Sequence, residues 1–231
     1  MTRINKFISE NFPLTRKQAD LLITKRQVYI NDRLAVLGEQ VGTDDKIKIL
    51  NLDQNTNYRY FVFNKPKNIA TLRSTPKEKD IFSLIKLPLK IFPVGRLDKL
   101  SSGLLILTND GRLGDKLLNP KYNHAKEYLV TVDKAITLEQ IKLLTKGPTI
   151  EGYKTKKSTV VKTADKEFHI TLTEGKKHQI RRMCAKVGLQ VIDLQRLRIN
   201  NLNLDKLRLK PGEIRELTGS LLTEFLQTIR F

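Results

Sequence analysis

The sequence predicts an α+β protein: a small α/β unit at the N-terminus, then a larger domain with a central, mainly antiparallel sheet flanked by helices. Three observations lead there. Residues 1–50 pass from helical to short strand-like patterns, and residues 51–57 are polar and without periodicity, as a linker is. Beyond them, strand-like runs at 59–63, 104–108, 126–132, 158–163, 167–173 and 191–199 outnumber helical ones at 113–118, 138–144, 176–187 and 221–229. The expected boundaries are therefore 1–50, a linker over 51–57, and 58–231.

In the first unit Ile4, Phe7 and Ile8 fall at helical spacing, and Pro13 is expected to end that helix. Thr15 is placed to cap a second helix, where Ala19, Leu22 and Ile23 form an apolar stripe and Arg16, Lys17, Lys25 and Arg26 point elsewhere. Val28-Tyr29-Ile30 reads as a strand before an Asn31-Asp32 turn, and Ile47 and Ile49 alternate with Lys46 and Lys48 in another. In the second domain, Gly95-Arg96-Leu97-Asp98-Lys99-Leu100-Ser101-Ser102-Gly103 puts one acid among cations and runs into the apolar Leu104-Leu105-Ile106-Leu107. Neighbouring cations favour the charged form of such an acid. Within 176–187, Ile180, Met183, Cys184 and Val187 fall at i, i+3, i+4 and i+7, one buried face that leaves Arg181 and Arg182 off its centre. In 191–199, Ile192 and Leu194 read as inward but lose phase with Leu197 and Ile199. A bulge near Arg196 is expected, turning Arg196 or Arg198 towards a ligand.

The formal charge of +19 points to a polyanionic partner, nucleic acid being the commonest. Residues 1–50 hold nine basic and six acidic side chains, a net +3, which leaves +16 for the remainder. Residues 174–215 carry eleven basic against four acidic side chains, a net +7. The single cysteine, Cys184, permits no internal disulfide and belongs to an apolar stripe, so a reducing, cytoplasmic setting is expected. A secretory signal and an apolar run long enough to span a bilayer are both missing, and no membrane association is expected. Neither a phosphate-binding loop, a dinucleotide fingerprint nor a zinc-ligand cluster is present, so no metal and no cofactor are expected.

The window around Gly95-Arg96-Leu97-Asp98 and the later Lys176-Lys177-His178-Gln179-Ile180-Arg181-Arg182 run resemble two motifs of the pseudouridine synthases that act on ribosomal RNA. The resemblance is to the branch with an N-terminal RNA-binding domain of the ribosomal protein S4 type, which residues 1–50 resemble through Val28-Tyr29-Ile30-Asn31-Asp32-Arg33. It implies isomerisation of uridine to pseudouridine by base flipping, a reaction without net redox change or hydrolysis. It also implies that Asp98 is the catalytic acid, that Tyr128 in a strand facing it is the stacking surface, and that Arg181 is the cation pairing with Asp98. Arg96 is expected to fill the space of the flipped nucleotide or to grip its phosphate. RNA contacts are assigned to Arg16, Lys17, Lys25 and Arg26, and to Lys176, Lys177, His178, Gln179 and Arg182. Helix N–H groups just after Gly175 are expected to help hold a phosphate. His178 is read as an RNA contact rather than a general base. Asn64-Lys65-Pro66 resembles a further family motif, with Asn68 where a glycine is usual; asparagine tolerates the left-handed conformation that position requires.

The expected partner is ribosomal RNA, with a lean towards the large subunit, and no obligatory protein partner. The alternatives are the same chemistry on small-subunit or transfer RNA, or a non-catalytic RNA-binding or ribosome-assembly factor that keeps the fold.

Overall fold

A computed structural model of the chain describes residues 1–12, 14–50 and 57–230. The first 50 residues build a core of their own. Strand β1 (Thr2–Arg3) leads into α1 (Ile4–Asn11), which buries Ile4 and Ile8 against Ala19 and Ile23 of α2 (Arg16–Thr24). Thr15 caps α2 as expected, in a full capping box with Gln18 that satisfies two backbone donors otherwise left free. Helix α1 is complete at Asn11, with Phe12 extended; Pro13, read as its terminator, and the linker residues 51–56 lie outside the described residues. Strand β2 (Val28–Ile30) turns through Asn31 and Asp32, both with positive φ, into β3 (Arg33–Leu34). Strand β4 (Gln40–Val41) pairs with β1, and β5 (Ile47–Ile49) pairs with β2.

The remainder is organised around one sheet, and nine of the described strands belong to it. In chain order these are β6 (Tyr60–Lys65), β7 (Phe92–Val94) and β8 (Ser102–Thr108), then, after α3 (Arg112–Leu118), β9 (Lys126–Val132). Helix α4 (Leu138–Lys146) and the small hairpin β10 (Thr149–Ile150) and β11 (Tyr153–Lys154) precede β12 (Thr159–Ala164) and β13 (Glu167–Leu172). Helix α5 (Gln179–Lys186) is followed by β14 (Val191–Ile199), β15 (Leu202–Asn203), α6 (Leu204–Leu207), β16 (Ile214–Leu217) and α7 (Gly219–Thr228). The strand order is β12-β13-β9-β14-β8-β6-β16, with β15 on β14 and β7 on β8; every pairing is antiparallel except β14 with β8. Helices α4 and α5 cover a core built on Val130, Phe168, Ile170 and Leu194, while α3 and α7 cover a second one built on Val62, Leu104 and Ile106. This is the predicted α+β architecture.

The structure corrects three details. Helix α5 begins at Gln179 rather than near Lys176, because His178 takes a left-handed conformation (φ 53°) and breaks the helical path. Its N-terminus is therefore displaced from the phosphate-holding place just after Gly175. Ile192 is 53% exposed and not inward, since β14 carries a register shift between Val191 and Asp193 as well as the expected one between Arg196 and Arg198. The short edge strands β7 and β16 were not anticipated; Pro93 and the charges of Ile214–Leu217 obscure the alternation there.

Candidate active site

The loop before β8 is locked by its neighbours. Gly103 has φ +105°, and a Cβ there would lie 2.2 Å from the Arg196 carbonyl oxygen, so only glycine lets β14 run this close. Upstream, the Thr71 hydroxyl donates to the Leu97 carbonyl at 2.7 Å and accepts from the Leu97 N–H at 3.0 Å. The Asn68 N–H donates to the Lys99 carbonyl at 2.8 Å, and Asn68 itself adopts the left-handed conformation (φ 69°) expected of it. Lys65, wholly buried at the end of β6, donates to the carbonyls of Pro66 and Ile69, closing the same turn from below.

Asp98 therefore sits on a rigid loop, and its carboxylate opens into a cleft of about 670 Å³ that Arg96, Tyr128, Lys126, His178 and Arg196 also line. Tyr128 reaches it because residues i and i+2 of β9 share one sheet face, which places Lys126 and Tyr128 together there. The charges around Asp98 differ from those the sequence suggested. Lys99 turns away to Glu78 at 3.2 Å, and Glu78, held by the Ser74 N–H and hydroxyl and by Lys99, has its pKa drawn down to about 2. Arg181 is not paired with Asp98: its guanidinium donates to the backbone carbonyls of Val191 at 3.1 Å and Leu100 at 3.4 Å. It ties α5 to β14 and to the loop that carries Asp98, a role that residue type and spacing do not reveal. Among the described residues the basic side chain that contacts Asp98 is His178, whose Nε2 lies 3.5 Å from Oδ1.

Buried cations stand in and around the cleft; the sequence pointed to Arg196 among them but not to the burial of Lys65 and Lys126. Lys65, Lys126 and Arg196 are each at most 8% exposed. Burial pushes the Lys65 ammonium down to about 8, against the pull of Asp98 and helped by Arg196; burial, with Arg196 second, does the same to Lys126. Lys126 was legible as the i−2 neighbour of Tyr128, whereas Lys65, next to an apolar run, gave no sign of its burial. Cys184 is buried in the α5 core as expected, its thiol pushed up to about 12 by desolvation, and is inert.

The RNA-contact candidates fall into three groups. Lys176, Lys177 and His178 are exposed on the loop at the cleft rim, with Lys176 over the Tyr153 ring at 4.4 Å. Gln179 is not available to RNA: it is 4% exposed, its amide donates to Glu174 at 2.6 Å, and its oxygen accepts from the Lys176 N–H at 2.8 Å. Arg182 pairs with Glu151 at 2.8 Å. Arg16 and Lys17 line a different cavity, of about 1170 Å³, opposite Phe82 and Leu89 and away from Asp98, while Lys25 and Arg26 are exposed at the far end of α2. Arg198, one of the two arginines expected to turn towards a ligand, is held by Glu127 at 2.7 Å and by the Asn200 carbonyl; Arg196 is the one that reaches the cleft.

A family model described as RNA pseudouridylate synthase matches residues 59–186, the stretch that contains Asp98, Tyr128 and Arg181. The chain belongs to the RNA pseudouridine synthase family. A dual-specificity RNA pseudouridine synthase, RluF of Salmonella typhi, is 40% identical over 232 residues, covering 99% of this chain and 80% of the relative. The ribosomal small subunit pseudouridine synthase A of Haemophilus influenzae is 33% identical over 225 residues, 94% of this chain and 97% of the relative. A crystal structure of a pseudouridylate synthase superimposes with a TM-score of 0.72 at 30% identity, over 99% of this chain and 100% of that one. The fold is thus that of a pseudouridine synthase, and the enzyme an isomerase acting on RNA. None of the synthase's described helices is long and apolar enough to cross a membrane.

Proposed function

We propose that this synthase converts uridine in ribosomal RNA to pseudouridine in the cytoplasm, with Asp98 as the catalytic acid, Tyr128 as the surface on which the flipped uracil stacks, and Arg96 as the side chain nearest the emptied place in the RNA. The observation that carries the reading is the convergence of Asp98, Tyr128 and Arg96 on one cleft from a loop and a strand 30 residues apart in sequence. Asp98 acts at the ribose or the base as the bond between C1′ and N1 breaks, the base turns, and C5 joins C1′. Arg181 acts through the loop backbone, and so is a positioning residue. Lys176, Lys177 and His178 hold phosphates beside the target at the rim, which suits the excess of positive charge over 174–215.

Residues 1–50 serve as an RNA-binding domain of the S4 type, joined through 51–57 to a catalytic domain over 58–231, and Arg16, Lys17, Lys25 and Arg26 are its phosphate contacts. Large-subunit RNA is the first substrate to test, because the resemblance of 174–183 leans that way; the small-subunit relative supports the second, the same chemistry on small-subunit RNA. Release of tritium from 5-tritiated uridine in unmodified ribosomal and transfer RNA decides between these and a binding factor. Release by the wild type that vanishes in Asp98→Ala is the expected outcome. Equal release by both would remove Asp98 from the chemistry, and no release from any of these RNAs would favour the binding factor.

A further inference from the structure

Arg196 occupies the middle of the cleft floor. On β14 it stands opposite Tyr128 of β9 on one side and Gly103 of β8 on the other. Residues directly opposed across antiparallel strands project from the same face with Cβ atoms about 5 Å apart, so the guanidinium shares the Tyr128 surface. Its Nε donates to the Leu104 carbonyl at 2.7 Å, which fixes the plane of the group, and it is 4% exposed. Its Nη2 is buried and has no protein partner, and the hydroxyl of Ser101, 1% exposed on the wall of the same cleft, has none either. A buried donor without an acceptor costs roughly 1–3 kcal/mol, so two in one cleft mark a place completed by a ligand.

The geometry points to Arg196 as a further catalytic residue that donates a hydrogen bond to a carbonyl oxygen of the uracil stacked on Tyr128. This rests on the reading of Asp98 and Tyr128 given above. When the bond between C1′ and N1 breaks, its electron pair stays with the base and spreads over N1, O2 and O4. Later C5 bonds to C1′, the proton on C5 leaves, and N1 is protonated, so atoms and charge balance without a co-reactant. Between these events the base is an anion. A guanidinium held in a desolvated site, beside the buried ammonium groups of Lys65 and Lys126, stabilises that charge more than water would. The ammonium groups of the two lysines are engaged with backbone carbonyls, so they raise the local potential while Arg196 makes the contact.

The test is a cycle between protein and substrate. Tritium release at saturating RNA is measured for the wild type, Arg196→Gln and Arg196→Lys on RNA whose target uridine, once mapped with the wild type, is replaced by 2-thiouridine or 4-thiouridine; sulfur is the weaker acceptor. Expected is a fall of about 100-fold for Arg196→Gln on the natural uridine, the order found on removing one preorganised donor, with the RNA dissociation constant changed by less than about threefold. Expected too is that one thio substitution slows the wild type while adding nothing to the loss in Arg196→Gln. Arg196→Lys, which keeps the charge, supplies the same comparison where Arg196→Gln does not fold. Equal slowing of wild type and variants by both thio substitutions, no slowing of the wild type by either, or a loss of melting temperature with the rate retained would each overturn the assignment. If Asp98→Ala is inactive and the cycle is additive, this inference alone fails; if the wild type releases no tritium, the Asp98 reading falls and takes this one with it.

Discussion

Single residues in this enzyme are decided by what lies within a few ångströms of them. Gly103 is the clearest case: an added Cβ would meet backbone 2.2 Å away, and the positive φ penalises any side chain in addition. Gly103→Ala is expected to cost about 3 kcal/mol or more, from overpacking and strain together, read as a shift in the urea midpoint. Lys65 gives a prediction in pH. Its pKa falls from 10.5 in the unfolded chain to about 8 in the fold, through burial, with Asp98 opposing and Arg196 reinforcing the shift. Below pH 8 the lysine is protonated in both states and the burial of its charge opposes folding. Between pH 8 and 10.5 the unfolded chain holds the proton and the native one releases it, so this group's contribution to stability rises with pH, by at most about 1.4 kcal/mol per unit. The stability of the wild type relative to Lys65→Met should therefore grow from pH 8 to pH 10 in urea unfolding series. A constant difference would mean that Lys65 keeps its proton.

At the scale of elements, the turn between β13 and α5 depends on one buried carboxylate. Glu174 is 3% exposed and accepts from the Tyr153 hydroxyl at 2.6 Å, the Lys156 N–H at 3.0 Å and the Gln179 amide at 2.6 Å. It holds the loop that carries Lys176, Lys177 and His178. Glu174→Ala leaves three donors without an acceptor and is expected to cost about 3 kcal/mol. If that loop holds phosphates beside the target as proposed, RNA affinity should fall more than the rate at saturation; a loss confined to the saturated rate would contradict this. Helix α4 offers a control remote from RNA. Thr137 and Gln140 form a capping box, and Thr137→Ala should cost about 1 kcal/mol in urea unfolding with tritium release unchanged.

At the scale of the molecule, charge and shape divide the work. The net +19 attracts RNA from any direction, but +16 of it lies beyond residue 50, where the cleft is. Binding should therefore be steeply salt-dependent, with affinity for RNA falling roughly a hundredfold or more between 50 and 200 mM salt, as several phosphate contacts require; a filter-binding series with a shallow slope would argue against an RNA-filled groove. Arg16 and Lys17, on the wall of the larger cavity, should contribute to that slope without affecting the saturated rate.

Periodicity and local chemistry were enough to read the helices of the first unit, the Thr15 cap, the Asn31-Asp32 turn, and the strands Lys126–Val132 and Val191–Ile199 with the shift at Arg196, because each depends on residues near in sequence; the left-handed Asn68 was legible through the family motif it resembles. The motif around Asp98 and the α5 face were legible for the same reason. What only the tertiary structure decided is who meets whom across the cleft: Lys99 goes to Glu78, Arg181 to backbone carbonyls, Gln179 to Glu174, and His178 to Asp98. It also decided that Lys65, Lys126 and Arg196 are buried cations, Lys126 and Arg196 on the wall of the cleft that Tyr128 also lines. A charged side chain of three or more rotatable bonds carries no local preference for a partner, so its choice is made by the packing of strands distant in sequence, and that information exists only in the folded sheet.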